Sequence, residues 1–546
     1  MTTPAVSEPQ HRSEQADHEP GHPRRWAVLG ICVVCLLVVW MDSTILNVAL
    51  KTIQEDLNAT QADMQWAMSS YTLIFAGLTL SFGLVGDRYG RKPVLLVGLA
   101  VFGLGSALSA WADSPIQLIM ARGVMGIGSA TVFPITLSII TNVFPAGQRA
   151  KAVGVWSAAG GVGAAIGPLV GGYLLGHWWW GSIFLVNVPL VAACLLAIWL
   201  VVPDSRDPKP GRVDILGVAL SVLGIVAVVY GIIRAGDQAD WTRPEVLGAL
   251  LGGLLVLAIF ALVERHSDHP ALDVTFFRQG AFTAGATSVA IAFFALMGLS
   301  FALSYYLQGV RGDSPLLAGV LLVPGAIGIA LGSVAAPLLT RHLSIRLTTT
   351  AGMVLLAAAN LAFLSIGRDT TAWVYEPLIL LSGVGTGLAL TAPTESMMSV
   401  VPRERAGEGS AVNSALRNIG GALGVAVLGA LLAGSYRAHL GDAASVLPAQ
   451  YREQASGSIA GTLGAVERVT AAGRLAIGQG QLSMAQALRL RSQLTDLVGR
   501  ACDAYVSAFH VALFCGAMVV LLGAVVALVW LPGRHRPFRE TLRETP

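Results

Sequence analysis

Runs of about twenty apolar residues alternate along this chain with short polar or Gly- and Pro-containing breaks. The runs fall near residues 27–49, 66–86, 94–112, 116–138, 152–175, 182–202, 214–234, 245–264, 282–308, 316–340, 348–366, 373–393, 410–434 and 506–531. As a helix, each suits a hydrocarbon layer of roughly 30 Å, which takes about 20 residues to cross. Backbone polar groups find no water in lipid, so such runs become helices. The pattern predicts an all-α membrane protein with 14 transmembrane helices.

The breaks distinguish two faces. The N-terminal segment and the breaks after spans 2, 4, 6, 8, 10 and 12 hold Arg88, Arg91, Lys92, Arg149, Lys151, Arg206, Lys209, Arg212, Arg265, Arg278, Arg341, Arg346, Arg403 and Arg405. The opposite short breaks hold only Lys51, Arg234, Arg243, Arg311 and Arg368. Lysine and arginine stay on the cytoplasmic side, so both termini are expected there, with the protein multi-pass in a bacterial cell membrane. Residues 1–25 are polar and lack the apolar core of a cleaved signal, which predicts a disordered cytoplasmic tail. On the far side, residues 437–500 are long, Ala-rich and carry seven arginines. They read as a helical hairpin outside the membrane.

Weak internal similarity orders the spans. RGVMGIGSATVFP from Arg122 in span 4 matches SGVGTGLALTAP from Ser382 in span 12, and Gly-rich segments match between spans 5 and 13. An offset of eight implies two six-helix halves with spans 7 and 8 inserted, as transporter repeats often allow. The expected organisation is therefore 6+2+6: an N-terminal bundle over 26–202, the inserted pair with its loops over 203–280, and spans 9–13 over 281–436. The hairpin (437–500), span 14 (501–532) and a cytoplasmic tail (533–546) follow.

Composition agrees with a lipid environment: 54% of residues are hydrophobic and 12% charged, about half the charged share of a soluble domain. The net charge of +3 is spread over loops without a basic, aromatic-interleaved cluster, which argues against nucleic acid as a partner. No metal-ligand spacing, nucleophile–base pair or phosphate loop is evident. The five cysteines suit packing. An enzyme is therefore not expected. The bilayer is the expected surrounding, with no obligate protein partner evident.

One acid stands out. The apolar run from Ala27 to Met41 covers only about 22 Å at 1.5 Å per residue, so the first span must continue past Asp42 and carry a carboxylate into the membrane. A lipid-facing charge there costs about 2.5–3.5 kcal/mol, which predicts that Asp42 faces the interior or a wet central cavity. Burial disfavours a charged carboxylate and a nearby cation favours it. A carboxyl whose cavity opens alternately to each side can thus load and release a proton. Arg122, roughly 10 Å into span 4, is expected at the same depth facing the bundle centre. The alternatives are structural: a hydrogen-bonded acid beside Ser43, Thr44 and Asn47, and an arginine neutralising carbonyls.

Further polar positions follow the same logic. Glu395 near the inner end of span 12 and Arg417 in span 13 are candidates for an inner gate, against an interfacial structural role. In the turn after span 2, GLVGDRYGRK, Arg88, Arg91 and Lys92 are explained by positioning. Asp87 is not, and suits a breakable latch to a helix N-terminus or to an arginine of a neighbouring span.

This turn, with Gly83, Asp87, Arg88, Gly90, Arg91 and Lys92, resembles the signature loop of the major facilitator superfamily. MDSTILNVAL from Met41, Arg122 with Gly126, IFLVNVP from Ile183, PALDVTFFR from Pro270 and YLQGVRGDSPLLAGVLLVP from Tyr306 resemble its fourteen-span drug:proton antiporter branch. So does GAAIGPLVGG, whose Gly163, Gly167, Pro168, Gly171 and Gly172 match the antiporter motif. The glycines, read as one close-packing face, suit a seam between the halves; tight packing alone is the alternative. The resemblance implies proton-coupled export of small lipophilic drugs or toxic compounds by alternating access, with those compounds as partners, the proton as coupling ion and no cofactor. One clear cavity acid favours neutral or singly cationic substrates. A dedicated exporter of one endogenous metabolite or antibiotic remains open on the same fold, and a membrane-embedded sensor or lipid-modifying enzyme is a more distant alternative.

Overall fold

A computed structural model describes residues 22–206, 214–238, 240–266, 277–401, 406–479 and 483–533. Residues 1–21 of the tail, Arg403, Arg405, most of PALDVTFFR and residues 534–546 lie outside the described residues. Within them the chain is all-helical, without strands. The helices are α1 (Arg25–Asp56), α2 (Gln61–Tyr89), α3 (Arg91–Ala110), α4 (Pro115–Val143) and α5 (Ala146–His177). There follow α6 (Ser182–Val201), α7 (Ile215–Gln238), α8 (Pro244–His266), and α9 (Gly280–Tyr305), which continues as a π-helical turn, Tyr306–Val310. Next come α10 (Pro315–His342), α11 (Ile345–Ala362), α12 (Ala372–Ser399) and α13 (Ala406–Leu440). Two short helices, α14 (Ala449–Gly457) and α15 (Ile459–Gly478), precede α16 (Met484–Trp530).

Among the described residues twelve helices are long and apolar enough to cross a membrane, and α2, bent by 53° between Thr79 and Ser81, brings the number to thirteen. The fourteen crossings expected from the sequence are not all reached by this measure. The difference is α5, a helix of 32 residues that does not enter the tally.

Packing follows the offset of eight seen in the sequence. α1 packs on α5, α2 and α3 on α4, and α3 on α6; α9 packs on α13, α10 and α11 on α12, and α11 on α16. The helix pair α7 and α8 stands outside this repeat. α7 lies in the groove between α2 and α13, where Val229, Ile232 and Ile233 pack with Leu73, Ala422, Ala426 and Ala430.

We call the face where α1 begins the terminus face, and the face that carries α14 and α15 the far face. The two bundles join toward the far face. A single apolar core runs from the N-terminal bundle into Phe294, Leu299, Phe301, Tyr305 and Leu307 of α9 and its π-turn. A second core, built around Phe282, Phe293, Met353, Ala389, Met397 and Val520, draws its buried residues from the C-terminal bundle, with Trp40 of α1 packed against it. Polar bonds reinforce the far-side closure. Ser304 Oγ donates to the carbonyl of Asn47, Gln308 Nε2 to that of Val48 (2.8 Å), and Tyr305 Oη to Gln54 Oε1 (2.7 Å).

The hairpin is tied to the same place. Gln54 Nε2 donates to Ser458 Oγ at 2.7 Å, and the Tyr436 and Thr462 hydroxyls are 2.7 Å apart. Its second arm is not a separate element: α16 runs unbroken from that arm through the last span as 47 residues, about 70 Å of helix. A capping box at Ser483 and Gln486 starts it, satisfying amides that would otherwise lack partners.

Candidate functional site

The deepest charged group of the N-terminal bundle is a pair. Arg122 Nη1 donates to Asp42 Oδ2 at 2.6 Å, and both side chains are buried, at 2% and 0% exposure. Helical periodicity places Arg122 on the face of α4 that meets α1, and the low dielectric there strengthens the attraction of unlike charges. Such a pair offsets its desolvation only if its remaining hydrogen-bonding positions are filled. Most are: Arg122 Nε donates to the carbonyl of Ala67 at 3.3 Å, and its guanidinium lies 4.3 Å from the Tyr71 ring centre and 5.7 Å from that of Phe184. Asp42 Oδ1 accepts from Asn187 Nδ2 at 2.9 Å. Asn187 in turn donates to Ser106 Oγ at 3.1 Å, and Ser106 donates to the carbonyl of Phe184 at 2.8 Å.

The sequence placed Asp42 and Arg122 at one depth, and the structure brings them into contact. It does not open Asp42 onto a central cavity. The carboxylate turns toward α4 and α6 within its own bundle, where it meets a cation and an amide that compensate its charge. Asn187 was not singled out from the sequence, although an asparagine inside the apolar stretch IFLVNVP was the available signal. Asn47 Oδ1 and Asn187 Oδ1 are buried without a hydrogen-bond partner.

The turn between α2 and α3 is held within its own bundle. Asp87 Oδ1 pairs with Arg91 Nε at 3.0 Å, one helical turn away across the break. Arg91 N donates to the carbonyl of Ser205 at 2.8 Å and Lys92 Nζ to that of Trp199 at 2.8 Å, which fastens the turn to the end of α6. Arg88 is exposed beside Tyr89. Gly83 and Gly86 sit close to Pro134 and Ile135 of α4. Gly90 has φ of +103°, a conformation that a side chain disfavours. Asp87 thus pairs with the arginine that opens the next helix, α3, and among the described residues no ion pair joins it to a more distant span.

The α5 glycines split between two partners. A Cβ on Gly163 would meet the carbonyl of Leu37 at 2.9 Å, one on Gly167 that of Met41 at 2.7 Å, and one on Gly171 the Ile45 side chain at 2.7 Å. This spacing-of-four row seats α1, not the opposite half. Gly172 lies about 100° further round the helix, and a Cβ there would meet the carbonyl of Pro315 in α10 at 2.7 Å. The carbonyl of Pro168 similarly abuts Gly319. Only Gly172 and Pro168 thus belong to the seam between the bundles.

Glu395 and Arg417 form no ion pair with each other. Glu395 is exposed on α12. The guanidinium of Arg417 instead lies 5.5 Å from the Phe293 ring centre, with Nε buried and unpartnered. His510 Nε2 is 2.8 Å from the carbonyl of Ile366. Among the described residues no group of three or more His, Cys, Asp or Glu is arranged to hold a metal ion.

The puromycin resistance protein pur8 of Streptomyces alboniger is 36% identical over 436 residues, 79% of this chain and 86% of that protein. The multidrug efflux pump LfrA of Mycolicibacterium smegmatis is 31% identical over 449 residues, 82% of this chain and 88% of that protein. Among solved structures, a bacterial homologue of the human lysosomal transporter Spinster, in an inward-facing and occupied conformation, superimposes with a TM-score of 0.63. It covers 93% of this chain and 97% of that one at 17% identity, a likeness of fold alone. The model of the Major Facilitator Superfamily matches residues 32–425; this chain belongs to that superfamily and is a membrane transporter, not an enzyme.

Proposed function

We propose that the protein is a proton-coupled antiporter that exports small lipophilic compounds, neutral or carrying a single positive charge, from a bacterial cytoplasm. The observation that carries this reading is the buried Asp42–Arg122 pair. A carboxylate that lies inside a membrane protein and is neutralised by one arginine has two low-energy states: ionised and paired, or protonated and released. Protonation leaves Arg122 without its counter-charge, which favours a different packing of α1, α4 and α6. Proton binding thereby becomes a conformational signal.

With the far face closed by Ser304, Gln308 and Tyr305, the present state accepts substrate from the terminus face, which the Lys/Arg bias assigns to the cytoplasm. The bundles then rock about the central space, as alternating access requires. Substrate leaves at the far face, and Asp42 takes a proton there. Return to the present state re-forms the pair and delivers the proton inside. A membrane potential of 100 mV supplies about 2.3 kcal/mol per charge, enough for roughly fifty-fold accumulation. No cofactor beyond the proton and no obligate protein partner enters this scheme.

The test is efflux of a fluorescent lipophilic compound from proteoliposomes with an imposed pH gradient, comparing wild type with Asp42→Asn. Loss of gradient-driven transport by a correctly inserted variant supports the reading; equal rates in the two proteins refute it. A second reading, export of a single antibiotic, is favoured by the relative named for puromycin resistance alone. Resistance of an overexpressing strain to one compound, against resistance to many, separates the two.

A further inference from the structure

Arg417 is a charge that the coupling scheme does not use. It lies on α13 eleven residues from the helix start at Ala406, about 16 Å along the axis. No ion pair reaches it among the described residues, and its buried Nε lacks an acceptor. Among the described residues, the group of electrostatic character beside it is the face of Phe293. Ionisable residues inside a membrane protein normally pair, or else mark the path of a substrate or ion. Asp42 is already taken by Arg122 and Asn187, so it does not serve as a counter-charge.

The surroundings suit a ligand. Phe293 belongs to the core of the C-terminal bundle, and both Trp40 of α1 and Met297 of α9 pack against that core and against the core shared by the two bundles. Trp40 and Met297 therefore mark the junction between bundles. Phe293 lies eleven residues before Ser304 on α9, placing it about 16 Å from the far-side closure, toward the terminus face. One turn from Arg417 in the same direction, Asn413 is nearly buried, with Oδ1 3.5 Å from Thr394 Oγ1. Cation, amide, hydroxyl, aromatic ring and thioether thus share one region beneath the closed face.

We infer that Arg417 is a specificity-determining residue that recognises an anionic oxygen, such as a carboxylate, phenolate or sulfonate, on an otherwise apolar substrate. A guanidinium presents a planar fork of donors matched to such groups, while Phe293, Met297 and Trp40 receive the apolar body. The same charge repels a permanent cation. This inference rests on the export reading for the direction of transport but not for binding, and it replaces the singly cationic substrates of that reading with anionic ones.

Two measurements on the full-length protein separate these dependences. In detergent, binding of a lipophilic fluorescent sulfonate such as anilinonaphthalene sulfonate is titrated against wild type, Arg417→Gln and Arg417→Lys, with a lipophilic quaternary ammonium dye as the opposite charge. Removing a charge-assisted hydrogen bond should weaken sulfonate binding about ten- to hundredfold in Arg417→Gln. The lysine variant, which keeps the charge but loses the fork, should fall between. Ammonium binding should strengthen in Arg417→Gln, inverting the preference. Sulfonate binding unchanged in both variants, or both dyes weakened equally, overturns the inference. The second measurement is gradient-driven efflux of the same dyes. Selective sulfonate binding without efflux would refute the transport reading while leaving the role of Arg417 intact; efflux with no dependence on residue 417 would do the reverse.

Discussion

Asp42→Asn offers a physical test that precedes any transport measurement. The substitution keeps the shape and one acceptor oxygen but removes the charge. In the wild type, Oδ2 receives Arg122 at 2.6 Å and Oδ1 receives Asn187 at 2.9 Å; an amide can satisfy only one of these donors. The guanidinium keeps the Ala67 carbonyl at 3.3 Å and the Tyr71 ring at 4.3 Å. The Tyr71 contact is present in both proteins and cancels, so the expected loss is about 3–5 kcal/mol, the cost of breaking one partner out of a buried pair. Arg122→Gln should lose a similar amount, because it strands the carboxylate. The double variant leaves no bare charge and should be less destabilised than the sum of the two. Reversible unfolding of the purified proteins in one detergent measures all four corners of this cycle. Neighbours in one network show coupling of about 0.5–3 kcal/mol, whereas independent sites add within about 0.5 kcal/mol. Additivity within that margin would show that the pair contributes no coupling energy, and the idea that protonation of Asp42 changes the packing would fail with it.

Two further outcomes follow from the closures around this site. Gly167→Val should destabilise the N-terminal bundle by about 1–3 kcal/mol through overpacking against Thr44 and Met41, while Gly163→Ser, whose nearest contacts include the Trp40 side chain, should be milder; the reverse order in thermal unfolding would contradict the geometry. Ser304→Ala with Gln308→Ala removes two side-chain donors from the α1 carbonyls at Asn47 and Val48, each bond worth about 0.5–1.5 kcal/mol. The far face should therefore open more often, seen as faster labelling of a cysteine placed at Val48; an unchanged rate would mean that apolar contacts alone hold it shut.

The fold was largely legible because the span signal is a long apolar run, and lipid leaves the backbone few alternatives. The offset-of-eight similarity, weak at each site, has its counterpart in a packing pattern of the early helices that recurs among the late ones. At the site, depth was legible and direction was not. Counting residues put Asp42 and Arg122 at one level, but the face each presents depends on which neighbour compensates its charge. Asn187 was hidden for the same reason: its importance lies in Asp42 across 145 residues of sequence separation. The α5 glycines show a finer limit. Their spacing revealed a close-packing face, but not that α1 occupies it, while the inter-bundle contact falls to Gly172. Asp87 and Arg91 stand only four residues apart in the sequence, yet that they meet across the break between α2 and α3 is visible only in the structure.

The unbroken course of α16 joins the outermost feature of the molecule to its interior. No proline interrupts the 47 residues between Met484 and Trp530, so the part that stands beyond the membrane and the part that packs on α11 and α13 share one axis. A small tilt of the C-terminal bundle is then magnified at the tip of this lever. The angle of an accessible external rod becomes a gauge of motion deep inside the bilayer, readable by a pair of labels that never enter the transport path.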